Sequence, residues 1–295
     1  MFFMLSGALT AEKTLGDEEF TASGYIRSRL SRLLPPLWLS WLVLCVWFLS
    51  RGILHFSVPA WRFIFTVLGL DGYVSYGLGL GRTFYLCGEW FYGAIVIAAL
   101  IWPAARALYR KMGRWPVLGV VLGFEIVALV LLRSDPVMLW RSIPICFASY
   151  MIGAVISDLS LAQSPRRVTL CSLVFCLFGL IPSFVPITLR FQLLSSGVFL
   201  LIELREQRMR KRMKGEGGGI SRFHRVLVRL SGMTLYFFMY QHEIIRWAVP
   251  IAGKSIDYSF GAFDYVGLAV IIVLITLFVA VMTQSLERGI RAYFS

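Results

Sequence analysis

The sequence predicts an all-α fold: a polytopic bundle of transmembrane helices, about eight full spans preceded by a partial amino-terminal helix. Three observations predict it. The 295 residues are 58% hydrophobic and 15% charged, and the mean hydropathy is +0.74. A soluble domain of that composition would lack the polar surface to cover itself. Charge-free stretches of membrane length recur along the chain, and Lys and Arg are sorted between the connections. Collagenous and disulfide-scaffold classes fail because the 26 glycines keep no three-residue period and five cysteines are sparse for this length.

The elements follow in order. Residues 1–9 are apolar, but nine residues at about 1.5 Å each cover less than half of a bilayer. This segment is expected to be the tail of a helix that begins before the sequence. Residues 33–50 form the first firm span, with no charge in 18 residues. The connection 54–82 is the longest on its side, and Gly72, Gly77, Gly79 and Gly81 predict a loop or re-entrant segment there. Spans are expected at 83–105 with Glu89 inside, 115–132 with Glu125 inside, and 141–157. Residues 168–189 and 265–286 are both free of charge over 22 positions, and 191–204 and 230–250 complete the set, the latter carrying His242 and Glu243.

Alternating the connections places 21 of the 29 Lys and Arg residues on one side, at 10–33, 104–115, 157–167, 205–229 and 285–295. The positive-inside rule makes that side cytoplasmic. The net charge of +13 is therefore mainly a topology signal rather than a sign of nucleic-acid binding. The densest block, a cytoplasmic loop at 205–229, suits anionic lipid or the phosphates of a cofactor. Trp38, Trp41, Trp47, Trp90, Trp102, Trp140 and Trp247 fall mostly near span ends, as an aromatic belt requires. All five cysteines lie within spans at no metal-ligand spacing and read as buried apolar side chains.

Individual residues allow two readings each. Arg29 and Arg32 are three apart, share a helix face, and match either paired phosphate docking or ordinary positive-inside anchoring. Glu89, near the outer end of its span, either orients an imidazole or acceptor hydroxyl or bonds between helices. Glu125, among apolar residues and outside any motif, has the same two readings, and the expected one is a structural hydrogen bond between helices. His242, near the outer surface, is suited to taking a hydroxyl proton close to neutrality or is simply a satisfied helix-end histidine.

Three stretches together resemble the acyltransferase-3 family of bacterial integral-membrane O-acyltransferases. Phe2-Phe3-Met4-Leu5-Ser6-Gly7 is similar to the close of that family's second helix. It is followed by Tyr25-Ile26-Arg27-Ser28-Arg29-Leu30-Ser31-Arg32-Leu33-Leu34-Pro35, similar to its Arg-x-x-Arg-x-x-Pro. Thr83-Phe84-Tyr85-Leu86-Cys87-Gly88-Glu89-Trp90-Phe91-Tyr92 resembles its Trp-Ser-Leu-x-x-Glu-x-x-Phe-Tyr, with Phe84 in the place of Trp and Phe91-Tyr92 one residue early. Tyr236-Phe237-Phe238-Met239-Tyr240-Gln241-His242 resembles its late Tyr-x-x-Tyr-Leu-x-His.

The resemblance implies one acyltransferase-like domain over 1–295 that moves an acetyl group from cytoplasmic acetyl-CoA to a hydroxyl of an extracytoplasmic or lipid-linked glycan. It implies a multi-pass protein of the bacterial inner membrane. Arg29 and Arg32 would hold the coenzyme; Glu89 and His242 would serve the chemistry; Arg141 and Tyr236 would contact substrate; no metal is required. The implied partners are the glycan acceptor, membrane lipids and glycan-assembly proteins, with no nucleic acid. Members of the family begin with a helix bearing a basic residue and, about ten positions later, a histidine, and no such helix precedes Phe2. A transporter or flippase for an anionic or lipid-linked substrate, its path lined by Glu89, Glu125 and Arg141, is the alternative class. An inactive remnant of the acyltransferase fold is a third.

Overall fold

A computed structural model describes residues 2–52, 58–76, 84, 90–132, 142–160, 165–180, 187–216, 236–237, 239–241, 243–245, 248 and 262–294. Among these residues every regular element is helical. In chain order they are α1 (Phe2–Thr14), α2 (Ala22–Ser50), a 3₁₀ turn (Ala60–Arg62), α3 (Phe63–Leu68), α4 (Asp71–Tyr76), α5 (Trp90–Met112) and α6 (Arg114–Leu131). They continue with α7 (Ile143–Ser160), α8 (Pro165–Leu180), α9 (Ile187–Glu216) and α10 (Ala262–Phe294).

Among the described residues four helices contain segments long and apolar enough to cross a membrane: Ala22–Ser50, Trp90–Met112, Arg114–Leu131 and Gly267–Ile290. Their exposed faces are apolar, as with Phe124, Ile126, Val127 and Val130 on α6, which is the surface a lipid solvent selects. Ile143–Leu159, Val168–Leu180 and Leu189–Ile202 are apolar but shorter. The expected span 168–189 is not one helix: α8 ends at Leu180 and α9 begins at Ile187. Pro182 and Pro186 lie in the interval and can donate no backbone hydrogen bond, so an uninterrupted ladder is disfavoured there. The basic block is also different, because residues 205–216 continue α9 rather than forming a loop.

The chain folds as two compact units. One combines Met1–Arg27 with Ile97–Gly219, the other Ser28–Val96 with Ile220–Ser295, so α2 and α5 each contribute to both.

In the first unit α1 is a helix of 13 residues that runs past the apolar stretch to Thr14. It packs along α7, with Gly7 against the Tyr150 backbone and Gly153 against that of Met4; a Cβ at either glycine would collide with a main-chain carbonyl. Small residues permit this approach of two helix backbones. The α8–α9 pair uses the same device, with a Cβ at Gly197 2.8 Å from the Ser172 carbonyl oxygen and the Ser172 hydroxyl donating to the Gly197 carbonyl at 2.7 Å.

Arg106 and Trp102 on α5 close the carboxyl end of α1. The Arg106 Nε donates to the Thr14 carbonyl at 2.8 Å, a second guanidinium nitrogen donates to the Asp17 carbonyl, and the Trp102 indole donates to the Thr14 hydroxyl at 3.0 Å. Carbonyls that a helix end leaves unpaired are thus met by a cation, the sign its dipole favours. Trp102 is fully buried and is no part of an aromatic belt. Asp158 on α7 accepts from Tyr109 at 2.8 Å and pairs with Arg114 at 2.9 Å, joining α5, α6 and α7.

In the second unit two short helices occupy the connection after α2. Gly69, at φ +72°, caps α3 in the left-handed region and turns the chain toward α4. The indoles of Trp38 and Trp41 donate to the carbonyls of Val67 at 2.8 Å and Phe84 at 2.9 Å, so these two hold the connection. Of the cysteines, Cys45 and Cys146 are buried, whereas Cys171 is exposed and Cys176 half-buried, because α8 turns an apolar face outward.

Candidate acyl-transfer site

The candidate site is built on the amino-terminal turns of α2. Leu30, Leu33 and Leu34 bury one side of those turns, while Arg32 is exposed and Arg29 half-buried. Pro35 and Pro36 follow inside the helix, and without N–H groups they cannot serve the carbonyls of Ser31 and Arg32. At the next carbonyl, that of Leu33, the buried Tyr92 hydroxyl from α5 supplies a donor. A basic turn is therefore followed immediately by a helix segment whose backbone is served by a side chain.

One apolar cluster joins these turns to the rest of the unit. It contains Leu37, Leu44, Tyr92, Val96, Tyr236, Met239, Tyr240 and Ala280, with Leu30, Leu33, Leu34 and Trp41 packed against it. Tyr236 and Tyr240 are four apart and lie on one helical face. The Tyr236 hydroxyl donates to Glu287 Oε2, and the Tyr240 hydroxyl accepts from the Thr283 hydroxyl at 3.0 Å, both partners being on α10. Parts of the basic tract, the Phe91-Tyr92 tract and the Tyr236–Tyr240 tract thus meet around one core.

Glu89, Arg141 and His242 lie outside the described residues. Of the expected site residues, Arg29, Arg32 and Tyr236 are described, and all three belong to the second unit. Tyr236, expected to meet substrate, has its hydroxyl on Glu287. Sequence reasoning missed Glu287, which follows the apolar run of α10 and looked like its polar end. It also missed Tyr92 as a backbone donor, although the Phe91-Tyr92 tract carried the signal. No group of three His, Cys, Asp or Glu side chains suited to a metal occurs among the described residues.

A family model described as an acyltransferase domain matches residues 1–284. The chain belongs to the acyltransferase-3 family. It is an integral membrane protein of acyltransferase type, and its helical architecture and apolar exterior agree with that membership. No curated protein and no solved structure matches the chain. Within an acyltransferase-3 chain, the stretches that carried the resemblance have separate placements. Phe2–Gly7 packs in the first unit, as does Tyr25 at the start of the basic stretch, whereas Leu30, Leu33, Leu34, Tyr92, Tyr236 and Tyr240 share the core of the second.

Proposed function

We propose that this acyltransferase-3 chain is a multi-pass enzyme of about eight spans in a bacterial inner membrane. It moves an acetyl group from cytoplasmic acetyl-CoA to a hydroxyl of an extracytoplasmic or lipid-linked glycan. The observation that carries the reading is the common core of the basic turn, Tyr92 and Tyr236–Tyr240. Arg29 and Arg32 on one turn, Arg32 exposed and Arg29 half-buried, suit the phosphates of a coenzyme better than a fully buried structural pair would. The coenzyme would supply the thioester; these arginines would bind and orient it. Glu89 would orient the acceptor hydroxyl and His242 would take its proton, with Arg141 and Tyr236 contributing to the substrate path.

Inverted membrane vesicles supplied with radiolabelled acetyl-CoA test this. Arg29→Ala/Arg32→Ala is expected to raise the KM for acetyl-CoA about tenfold or more, the size of a lost charge-assisted contact, with the double Lys variant partly restoring it. Glu89→Ala and His242→Ala are expected to lower kcat instead. Transfer that is indifferent to all four substitutions would refute the assignments. Glycan flux through proteoliposomes without acetyl-CoA would replace the enzyme by a transporter.

A further inference from the structure

Four helices of the first unit, α6 to α9, surround a cavity of about 540 Å³. Leu118 and Leu122 line it from α6, Val155 from α7, Phe175 from α8 and Leu193 from α9, so every helix contributes apolar wall. Along α6 the lining runs from Trp115 to Glu125, ten residues or about 15 Å of helix. That volume over that length gives a channel roughly 7 Å across, narrower than the 10 Å or so that a peptide helix occupies with its side chains. The body such a shape takes is an alkyl chain.

The two ends of the channel differ. At the deep end Glu125 makes the structural bond expected of it, to the side chain of Gln192 on α9, and the Gln192 Nε2 donates to the Ser149 hydroxyl on α7 at 3.2 Å. These polar groups tie three helices together and serve one another, so an apolar chain gains nothing by passing them. At the other end Trp115 and Leu159 line the cavity, and their neighbours Arg114 and Asp158 form an ion pair at 2.9 Å. Both are partly exposed. That bond uses one of the five N–H groups of the guanidinium, so Arg114 can hold a second anion beside Asp158. Arg166 and Arg167 stand in the first turn of α8, directly before the lining residue Val168. This end lies on the side where Lys and Arg concentrate along the chain.

The ring of helices has one open seam. The backbone of α6 packs against α7, α7 against α9 and α9 against α8, whereas among the described residues no comparable approach joins α6 to α8. Trp115 on α6 and Cys171 on α8 line the cavity and are exposed, so it reaches the surface between these two helices. Beside that seam the outer faces are apolar, with Phe124 and Val127 on α6 and Leu170 and Leu177 on α8, and what enters comes from the bilayer. We propose that the cavity takes one acyl chain of an anionic phospholipid, with Arg114 binding the phosphate at the rim. An anionic headgroup is favoured over a zwitterionic one because three arginines, Arg114, Arg166 and Arg167, stand at this end against the single carboxylate of Asp158. The site is separate from the arginine turn of α2 and does not depend on the acyl-transfer reading.

The experiment uses the full chain in phosphatidylcholine nanodiscs with two photoreactive probes, a phosphatidylglycerol and a phosphatidylcholine that carry the same diazirine-bearing acyl chain. Adducts are expected on peptides from α6 to α9, with the phosphatidylglycerol labelling about tenfold above the phosphatidylcholine, the scale of one charge-assisted contact. Arg114→Gln should remove most of that preference while adducts persist, which shows that the cavity is still formed. Asp158→Asn removes the competing carboxylate and should keep or raise the preference, whereas a role for Arg114 confined to its ion pair requires the same loss from both variants. Leu122→Trp and, from the opposite wall, Leu193→Trp should each suppress the adducts of both probes. Unlabelled phosphatidylglycerol should compete and glycerol 3-phosphate should not. Equal labelling by the two probes, a preference that survives Arg114→Gln or is lost in Asp158→Asn, adducts indifferent to both filling variants, or competition by the soluble phosphate would overturn the proposal.

Discussion

Arg106 shows how one side chain departs from the role its position suggests. Counted by sequence it is one more cation of a positive-inside connection, yet it is 7% exposed and holds two carbonyls at the end of α1. Its guanidinium also stacks 4.0 Å from the Phe20 ring centroid, a cation–π contact in a desolvated place. Arg106→Met should therefore cost about 3 kcal/mol, because the buried Thr14 carbonyl and the Asp17 carbonyl both lose a charged donor. Arg110→Met, on the exposed side of the same helix, should stay within about 0.5 kcal/mol of the native chain. Thermal melts in detergent read both.

Helices meet here by two means, glycine contact and aromatic hydroxyl bonding. The α1–α7 pair relies on Gly7 and Gly153, where added side chains would strike main-chain carbonyls that cannot move aside. Gly153→Leu is expected to cost about 3 kcal/mol or more, or to prevent accumulation of folded protein, whereas Gly119→Ala on α6, with open space around it, should be nearly neutral. Expression level and gel-filtration profile distinguish the two. In the second unit, Tyr236→Phe should cost about 1–2 kcal/mol because the buried hydroxyl bond to Glu287 ties its segment to α10. Helix existence was legible for α2, α6 and α10, whose apolar runs are long and charge-free or nearly so. The break between α8 and α9 was less so: a hydropathy reading averages over Pro182 and Pro186 and sees one 22-residue run. The helical start of the 205–229 block was hidden for the reverse reason. Its Arg and Lys residues are good helix formers, but dense charge reads as a solvated connection.

At the scale of the molecule the open quantity is sidedness, which the acyl-transfer reading requires to be opposite for Arg29 and His242. After exposed Cys171 is replaced, a membrane-impermeant maleimide applied to intact cells should miss a cysteine introduced at Arg27 and modify one placed at Gln241. The reverse pattern would invert the bundle and remove the route for the acyl group. The basic and aromatic tracts of the site were readable in sequence because each is a local pattern: Arg29 and Arg32 at three-residue spacing, Tyr236 and Tyr240 at four. By itself the sequence determined that this is a helical membrane protein of the acyltransferase-3 family, because the composition required by a lipid solvent and the family tracts are both written along the chain. Only the tertiary structure decided that Arg106 is a helix cap, that Tyr92 serves the backbone behind a proline pair, and that Glu125 lines a cavity beside Gln192. Those outcomes depend on which polar groups meet across distant helices, and hydrogen-bond satisfaction in three dimensions leaves no period in the sequence.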